Sequence, residues 1–329
     1  MVMHKLASNL TGTIGMIGNL NIDLAIRNVS NLPDWGHEVF GDDHNAVSAG
    51  QATNSALALR KLGHSVKMIG NVGEDAHGQQ ILATLRENGM TLDGIEVTPG
   101  TQTAITIAIV RPDGERAFIS DPACLRQFTS NLVGRHLHMM DDCDVVCLLG
   151  IFFLPGISLP ELSRITAELQ SRGKTTLLDT GWDADNWQAG TLEALASMLG
   201  HIDIFIPNEE EAKAITGSAD PQKAAQALSE AGPKIVVVKL GPQGSFLYSR
   251  DEQRLIPAHT VQVVDAIGAG DVFNAGFIHG YLQGWPLAAC VQFGNSVSSI
   301  YISRTRDRFP NLKQSAAAAN QYQDFEFVA

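Results

Sequence analysis

A chain of 329 residues has room for one large α/β domain with a small addition, or for two domains. An apolar fraction of 44% is ordinary for a folded protein, and a net charge of −12 argues against a broad nucleic-acid-binding surface. A phosphate-bearing ligand therefore has to be met by local amides, single cations or a metal ion.

In chain order, short apolar runs alternate with longer helical patterns. Residues 13–17 read as a strand, and 54–62 as a helix stopped by Gly63. Residues 66–69 predict a strand and 77–88 a helix ended by Gly89. Strands follow at 145–149, 175–178 and 202–206, with helices at 159–171 and at 221–231, where Pro221 follows Asp220. Residues 235–238 are almost purely β-branched, the pattern of a strand covered on both faces. Residues 260–264 read as a further strand, and the alanine run 316–319 as helix. This alternation predicts a doubly wound, mainly parallel sheet flanked by helices.

Two stretches break the rhythm. Residues 24–45 hold Asn28, Asn31, Pro33, Asp34 and Gly36 without a long helical pattern. Residues 102–120 read as two strands joined by the turn Arg111-Pro112-Asp113-Gly114-Glu115. Both predict a small β-layer beside the main sheet. No internal repeat or linker interrupts the chain, so residues 1–329 are expected to form a single domain carrying these insertions.

Cys124, Cys143, Cys147 and Cys290 form no Cys-x-x-Cys pair and read as reduced thiols of a cytoplasmic protein. Residues 1–10 carry His4 and Lys5 but no apolar core, so they do not read as a leader. The longest apolar stretch, 145–154, stops at Pro155 and is too short to span a bilayer.

Chemistry concentrates in Val264-Asp265-Ala266-Ile267-Gly268-Ala269-Gly270-Asp271-Val272-Phe273-Asn274. A strand, a Gly-Ala-Gly turn, an aspartate and a helical pattern bring bare amides and a carboxylate together at a helix start. Amides and helix dipole suit an anion. The carboxylate suits removal of a proton from an attacking hydroxyl. Read locally, the same residues also make a tight turn with Asp271 as helix cap.

The segment resembles the C-terminal signature of the ribokinase-like (PfkB) family of carbohydrate kinases, Asp-Thr-x-Gly-Ala-Gly-Asp, with Ala266 in place of the threonine. The resemblance implies a ribokinase-like fold with a β-lid built from the two insertions, and use of ATP and Mg2+. It makes Asp271 the catalytic base and Gly268, Ala269 and Gly270 an anion hole for the transferring phosphoryl group.

Other landmarks follow in the family's order. Gly18-Asn19-Leu20-Asn21-Ile22-Asp23 is similar to the segment whose aspartate binds sugar hydroxyls, which assigns Asp23 and Asn21 to substrate; locally Asp23 is a turn aspartate. Ala49-Gly50-Gln51-Ala52-Thr53-Asn54 resembles the N-terminal signature, placing Gly50, Gln51 and Asn54 at the substrate, although Asn54 also suits a helix cap. Asn71-Val72-Gly73-Glu74-Asp75 reads as scaffold. Asn208 and Glu211 match the family's Asn-x-x-Glu, which implies Asn208 at the nucleotide and Glu211 at Mg2+ through water; locally they are a cap and a first-turn acid. Lys239, Gly241 and Gly244 resemble the nucleotide loop, and Asn295 the polar residue of the helix along the adenine pocket.

The departures bear on specificity. Ser303-Arg304-Thr305-Arg306-Asp307-Arg308 lacks the Gly-Ala that the family commonly carries beyond its arginine. That argues against a monovalent cation at the backbone carbonyls of Asp265 and Ile267, where the resemblance would place it. Gly150 and Gln51 stand where ribose kinases often carry glutamate and lysine, which argues against ribose. Asp179-Thr180-Gly181-Trp182-Asp183 lacks the Asn and Arg of fructokinase-like members, which argues against a phosphorylated sugar.

Three patterns are decoys. Gly173-Lys174-Thr175 lacks the earlier glycine of a phosphate loop, Gly268-x-Gly270 lacks the third glycine of a dinucleotide fingerprint, and His136 and His138 do not share a helix face. The expectation is an ATP-dependent kinase acting on a hydroxymethyl group of a sugar. The alternatives are a nucleoside kinase and a silent ligand-binding regulator. The small-molecule substrate, the absence of nucleic-acid or membrane partners, and a homodimer formed through the lid complete the reading.

Overall fold

Alternate side chains of the central strands are buried in two separate apolar layers. On one strand Val145, Cys147 and Leu149 join one layer, while Val146 and Leu148 join the other. Period-two alternation with both faces covered makes a doubly wound sheet. The computed structural model describes residues 4–321 and 325–329, so the first three residues of the 1–10 stretch lie outside it.

The strands are β1 (His4–Ala7), β2 (Thr13–Gly18), β3 (Asn21–Arg27), β4 (Asp43–Ala49) and β5 (Ser65–Gly73). Next come β6 (Ile95–Thr98), β7 (Ile105–Val110), β8 (Arg116–Asp121), β9 (Val145–Leu149) and β10 (Thr175–Asp179). The last are β11 (Ile204–Phe205), β12 (Ile235–Lys239), β13 (Ser245–Ser249), β14 (Gln253–Ile256) and β15 (Phe325–Val328). The first helices are α1 (Gln51–Lys61), α2 (Ala76–Glu87), α3 (Ser130–His136), α4 (Leu159–Ser171) and α5 (Ala189–Leu199). They are followed by α6 (Glu209–Thr216), α7 (Pro221–Glu230), α8 (Ala269–Leu282), α9 (Leu287–Ile302) and α10 (Leu312–Ala319).

The nine-stranded sheet has the order β14-β13-β12-β11-β10-β9-β2-β5-β6. Its strands all run in one direction except β13, which pairs antiparallel with both β12 and the edge strand β14. The ribokinase-like doubly wound expectation therefore holds. A separate four-stranded sheet, β4-β3-β7-β8, holds strands from both expected lid stretches, and the hairpin at residues 111–115 joins β7 to β8. This sheet starts at Asn21 and reaches Ala49, several residues beyond the 24–45 stretch at each end.

Some expectations shift. Residues 260–264 join no ladder, because β14 ends at the sheet edge and the chain leaves it; Val264 donates instead to the Ile302 carbonyl (2.8 Å). Helix α1 begins at Gln51, so its cap position is Gly50 and the Asn54 side chain lies inside the helix, free of capping. Strand β11 keeps only two residues of the 202–206 run. Helix α8 crosses α9 so closely that a Cβ on Gly276 would come 2.8 Å from the Gly294 Cα.

Candidate active site

Helices α1 and α8 each start at a glycine with left-handed backbone, Gly50 (φ 102°) and Gly268 (φ 81°). At Gly268 a Cβ would come 2.9 Å from both Asn54 Nδ2 and Tyr301 Oη, so the turn tolerates only glycine. Both helix starts open into one cavity of about 540 Å3. Its walls come from the carboxyl ends of β2, β9, β10 and β12, the loops beyond them, and the small sheet. Of the candidate site residues, all but Asp265 line it.

Asp271 sits in the first turn of α8, nearly fully buried, and its Oδ2 accepts a hydrogen bond from Asn54 Nδ2 (2.9 Å). Burial, and then the nearby Asp179 charge, push its carboxyl up to about 7. The Ala269 amide donates to the Ala266 carbonyl (3.2 Å) and closes the turn, so the remaining amides at the helix start are those without helical partners.

Behind this turn lies a buried ion pair. Lys239 Nζ, from the end of β12, donates to Asp179 Oδ2 at the end of β10 (2.5 Å). Asn274 Nδ2 shares that oxygen (2.7 Å), and Gln51 Nε2 reaches Oδ1 (3.2 Å). Burial works to lower the Lys239 pKa, but the Asp179 and Glu211 carboxylates outweigh it and raise it. Glu211 and Asn208 make a reciprocal cap on α6, each side chain bonding the other's backbone amide at 2.9 Å. Burial and the Asp179 charge raise the Glu211 pKa.

At the other end, Asn19 Nδ2 donates to Asn21 Oδ1 (2.8 Å), and Asn21 Nδ2 to Asp23 Oδ1 (2.7 Å). Burial pushes the Asp23 carboxyl up to about 6 against the Asn21 hydrogen bond. Both Asp23 oxygens sit on β3 of the small sheet, whose Thr106, Arg116 and Phe118 also wall the cavity. Asn295, by contrast, uses its amide inside the protein: Oδ1 accepts from Ser245 Oγ (2.9 Å) and Nδ2 donates to the Ile256 carbonyl (3.2 Å).

The carbonyls of Asp265 and Ile267 do not face open space. Arg308 Nη2 donates to both, at 2.7 and 3.3 Å. Sequence reasoning passed over Asp179 and Asn274 as site members and left the aromatic wall of Phe118, Phe153 and Trp182 unassigned. For Asp179 there was a signal, since it directly follows the strand expected at 175–178 and parallel sheets bind ligands at their carboxyl ends.

Among the described residues no group of three or more His, Cys, Asp or Glu side chains is placed to hold a metal ion. The buried carboxylates of Asp179, Glu211 and Asp271 still outnumber Lys239. That donor set fits a hard divalent cation that brings water and phosphate oxygens as most of its ligands.

A turn of amides beside a buried carboxylate, at the carboxyl ends of a parallel sheet and under a small β-lid, defines a phosphoryl-transfer enzyme of the ribokinase fold. Residues 13–314 match the model of the pfkB family of carbohydrate kinases, and the chain belongs to that family. It is 28% identical over 307 residues to a ribokinase of Schizosaccharomyces pombe, covering 88% of this chain and 92% of that one. It is also 28% identical over 281 residues to a cytidine kinase of Thermococcus kodakarensis, covering 85% of this chain and 92% of that one. Among solved structures, a ribokinase of Arabidopsis thaliana complexed with ribose and ATP superposes with a TM-score of 0.79 at 23% identity, covering 94% of this chain and 99% of that one.

The Asp271 carboxyl carries a stability consequence. Its pKa rises on folding from an ordinary 3.8 to about 7, so ionisation disfavours the folded state and stability falls as pH climbs through that window. Asp271→Asn keeps the shape and never ionises. It is expected to raise stability at pH 8 by on the order of 2–4 kcal/mol, with the gain vanishing below the ordinary carboxylate range. Thermal unfolding across pH checks this; equal melting curves at pH 8 would show that the carboxylate carries no such strain.

Proposed function

We propose that the protein transfers the γ-phosphoryl group of ATP to a hydroxymethyl group of a sugar. The observation that carries this reading is the buried Asp271 carboxyl at the α8 start, beside the Gly268–Gly270 amides and in the same cavity as Asp23. In this reading the hydroxyl oxygen attacks the γ-phosphorus as Asp271 takes its proton. The bond to the bridging oxygen breaks and ADP leaves. The turn amides meet the charge that develops on the phosphoryl oxygens.

Asp23 and Asn21, with Gly50, Gln51 and Asn54 alongside, hold and orient the substrate hydroxyls. Asn208, Lys239, Gly241, Gly244 and Asn295 line the nucleotide end, where Asn295 also braces the wall through the Ile256 carbonyl. Glu211 would hold Mg2+ through water, and that ion supplies neutralisation of phosphate charge. The small sheet, closing over the sugar, excludes water that would otherwise take the phosphoryl group. The buried, unpaired cysteines support a cytoplasmic location.

A nucleoside acceptor is the second reading, and one observation favours it. Phe118, Phe153 and Trp182 line the same cavity as Asp23 and offer faces on which a base could stack. They also line an adjoining space of about 950 Å3. A panel of hexoses, pentoses and nucleosides, scored by acceptor-dependent ADP release, decides between the two. Absence of release with every acceptor would leave a ligand-binding protein.

Asp271→Asn is expected to lower kcat by roughly 10²–10⁴ while the protein stays folded and binds both substrates. In the wild type, kcat/KM should climb with pH through about 7, as the Asp271 base becomes unprotonated. Near-normal turnover in the variant would reduce Asp271 to a first-turn acid.

Asp23→Ala should raise KM for the acceptor far more than for ATP, by the equivalent of about 1.5–3 kcal/mol for a lost charge-assisted hydrogen bond. Equal effects on both substrates would move Asp23 out of the acceptor pocket.

A homodimer through the lid is supported by its apolar outer face. Ile119 lies on the strand face opposite Phe118 and is 63% exposed, and Phe40 in the β3–β4 connection is 82% exposed. Sedimentation should show a dimer that Ile119→Asp dissociates; a wild type that stays monomeric at all concentrations excludes it.

A further inference from the structure

The segment before the anion hole is held by an arginine from far along the chain. Arg308 Nη2 donates to the main-chain carbonyls of Asp265 and Ile267, and Nη1 to Asp265 Oδ2 (3.1 Å). The other Asp265 oxygen accepts from the Ile267 amide (2.9 Å), closing a local turn. The guanidinium also lies 4.0 Å above the centre of the Tyr301 ring, and the Tyr301 hydroxyl is packed under Gly268. One cation therefore braces the turn from its carbonyl side and, through Tyr301, from below.

A second arginine completes the arrangement. Arg27 Nη2, on lid strand β3, reaches the same Asp265 oxygen (2.7 Å). Asp265 is 9% exposed, and the two arginines 20% and 18%. Carbonyl oxygens gathered in a partly buried turn need hydrogen-bond donors. A guanidinium supplies them, stays charged at every accessible pH and bonds two acceptors in a fixed geometry. The chain bends sharply to deliver it: Asp307, directly before Arg308, has φ +45°.

We propose that Arg308 is a built-in cation that positions the Gly268–Gly270 amides, so that phosphoryl transfer needs no free monovalent cation. It is a positioning residue, acting through the turn and not on the substrate. The inference rests on the anion-hole reading of that turn.

The probe is ADP release from MgATP with the fastest acceptor of the panel above, or with water in its place if none turns over. At fixed ionic strength, wild-type rates in K+ and in tetramethylammonium should agree within about threefold. Arg308→Ala should lower kcat by about 10- to 100-fold, less than the loss of an anion-hole donor itself, with acceptor KM little changed. K+ or millimolar guanidinium should restore much of that rate, and Arg308→Lys should fall between the two proteins.

A rise of about tenfold or more with K+ in the wild type overturns the proposal, and that arm requires no variant to fold. So does an Arg308→Ala protein that keeps its kcat, or one whose loss neither cation repairs. A wild type that releases no ADP under any condition overturns the kinase reading itself, whereas K+ activation of an active protein overturns this inference alone.

Discussion

One lysine among three buried carboxylates is the constraint on which the site depends. Lys239 pairs directly with Asp179, while burial and then the Asp179 charge raise the proton affinity of both Glu211 and Asp271. Buried carboxylates without full compensation are costly, and folded proteins hold them only where surrounding packing leaves no alternative. Here that packing is the sheet itself: β10 and β12 end at Asp179 and Lys239, and α6 and α8 start at the other two acids. The residual negative charge is what a nucleotide-borne cation would neutralise.

The sheet order explains why these groups meet. Strand β2 lies between β5 on one side and β9 on the other, so the chain winds outward in both directions from that pair. Loops leaving the carboxyl ends of β2 and β9 part there and open a crevice, the usual ligand position in such sheets. Asn19, beyond β2, and Gly150, beyond β9, line it, and Asp179 stands one strand further on. The relay from Asn19 through Asn21 to Asp23 then carries the polar wall from the main sheet into the lid.

The lid is more than a cover. Strand β3 carries Asp23 near its start and Arg27 at its end, so the same strand touches the cavity and the carboxylate ahead of the α8 turn. A rigid seven-residue strand with both contacts ties the placement of one end of the cavity to the other. Precise placement of acceptor against phosphoryl group is where most of the catalysis in this chemistry resides.

The sequence by itself determined the layered fold and most of the residues that line the candidate site. Local patterns carry that information: apolar runs of strand length, a glycine stop after residues 54–62, a hairpin turn at 111–115, and Gly-Ala-Gly before Asp271. Local pattern also misled, since the apolar run 260–264 has strand character but joins no ladder, and Val264 bonds the end of α9 instead. What only the tertiary structure decided are contacts between residues distant along the chain. Asn54 meets Asp271 and frees itself from capping, Asn274 and Gln51 surround Asp179, Asn295 is turned to brace a wall, and Arg308 closes on Asp265 and Ile267. A side chain's partner across 40 or 200 residues depends on sheet order and helix crossing, and neither leaves a periodicity in the chain for spacing to reveal.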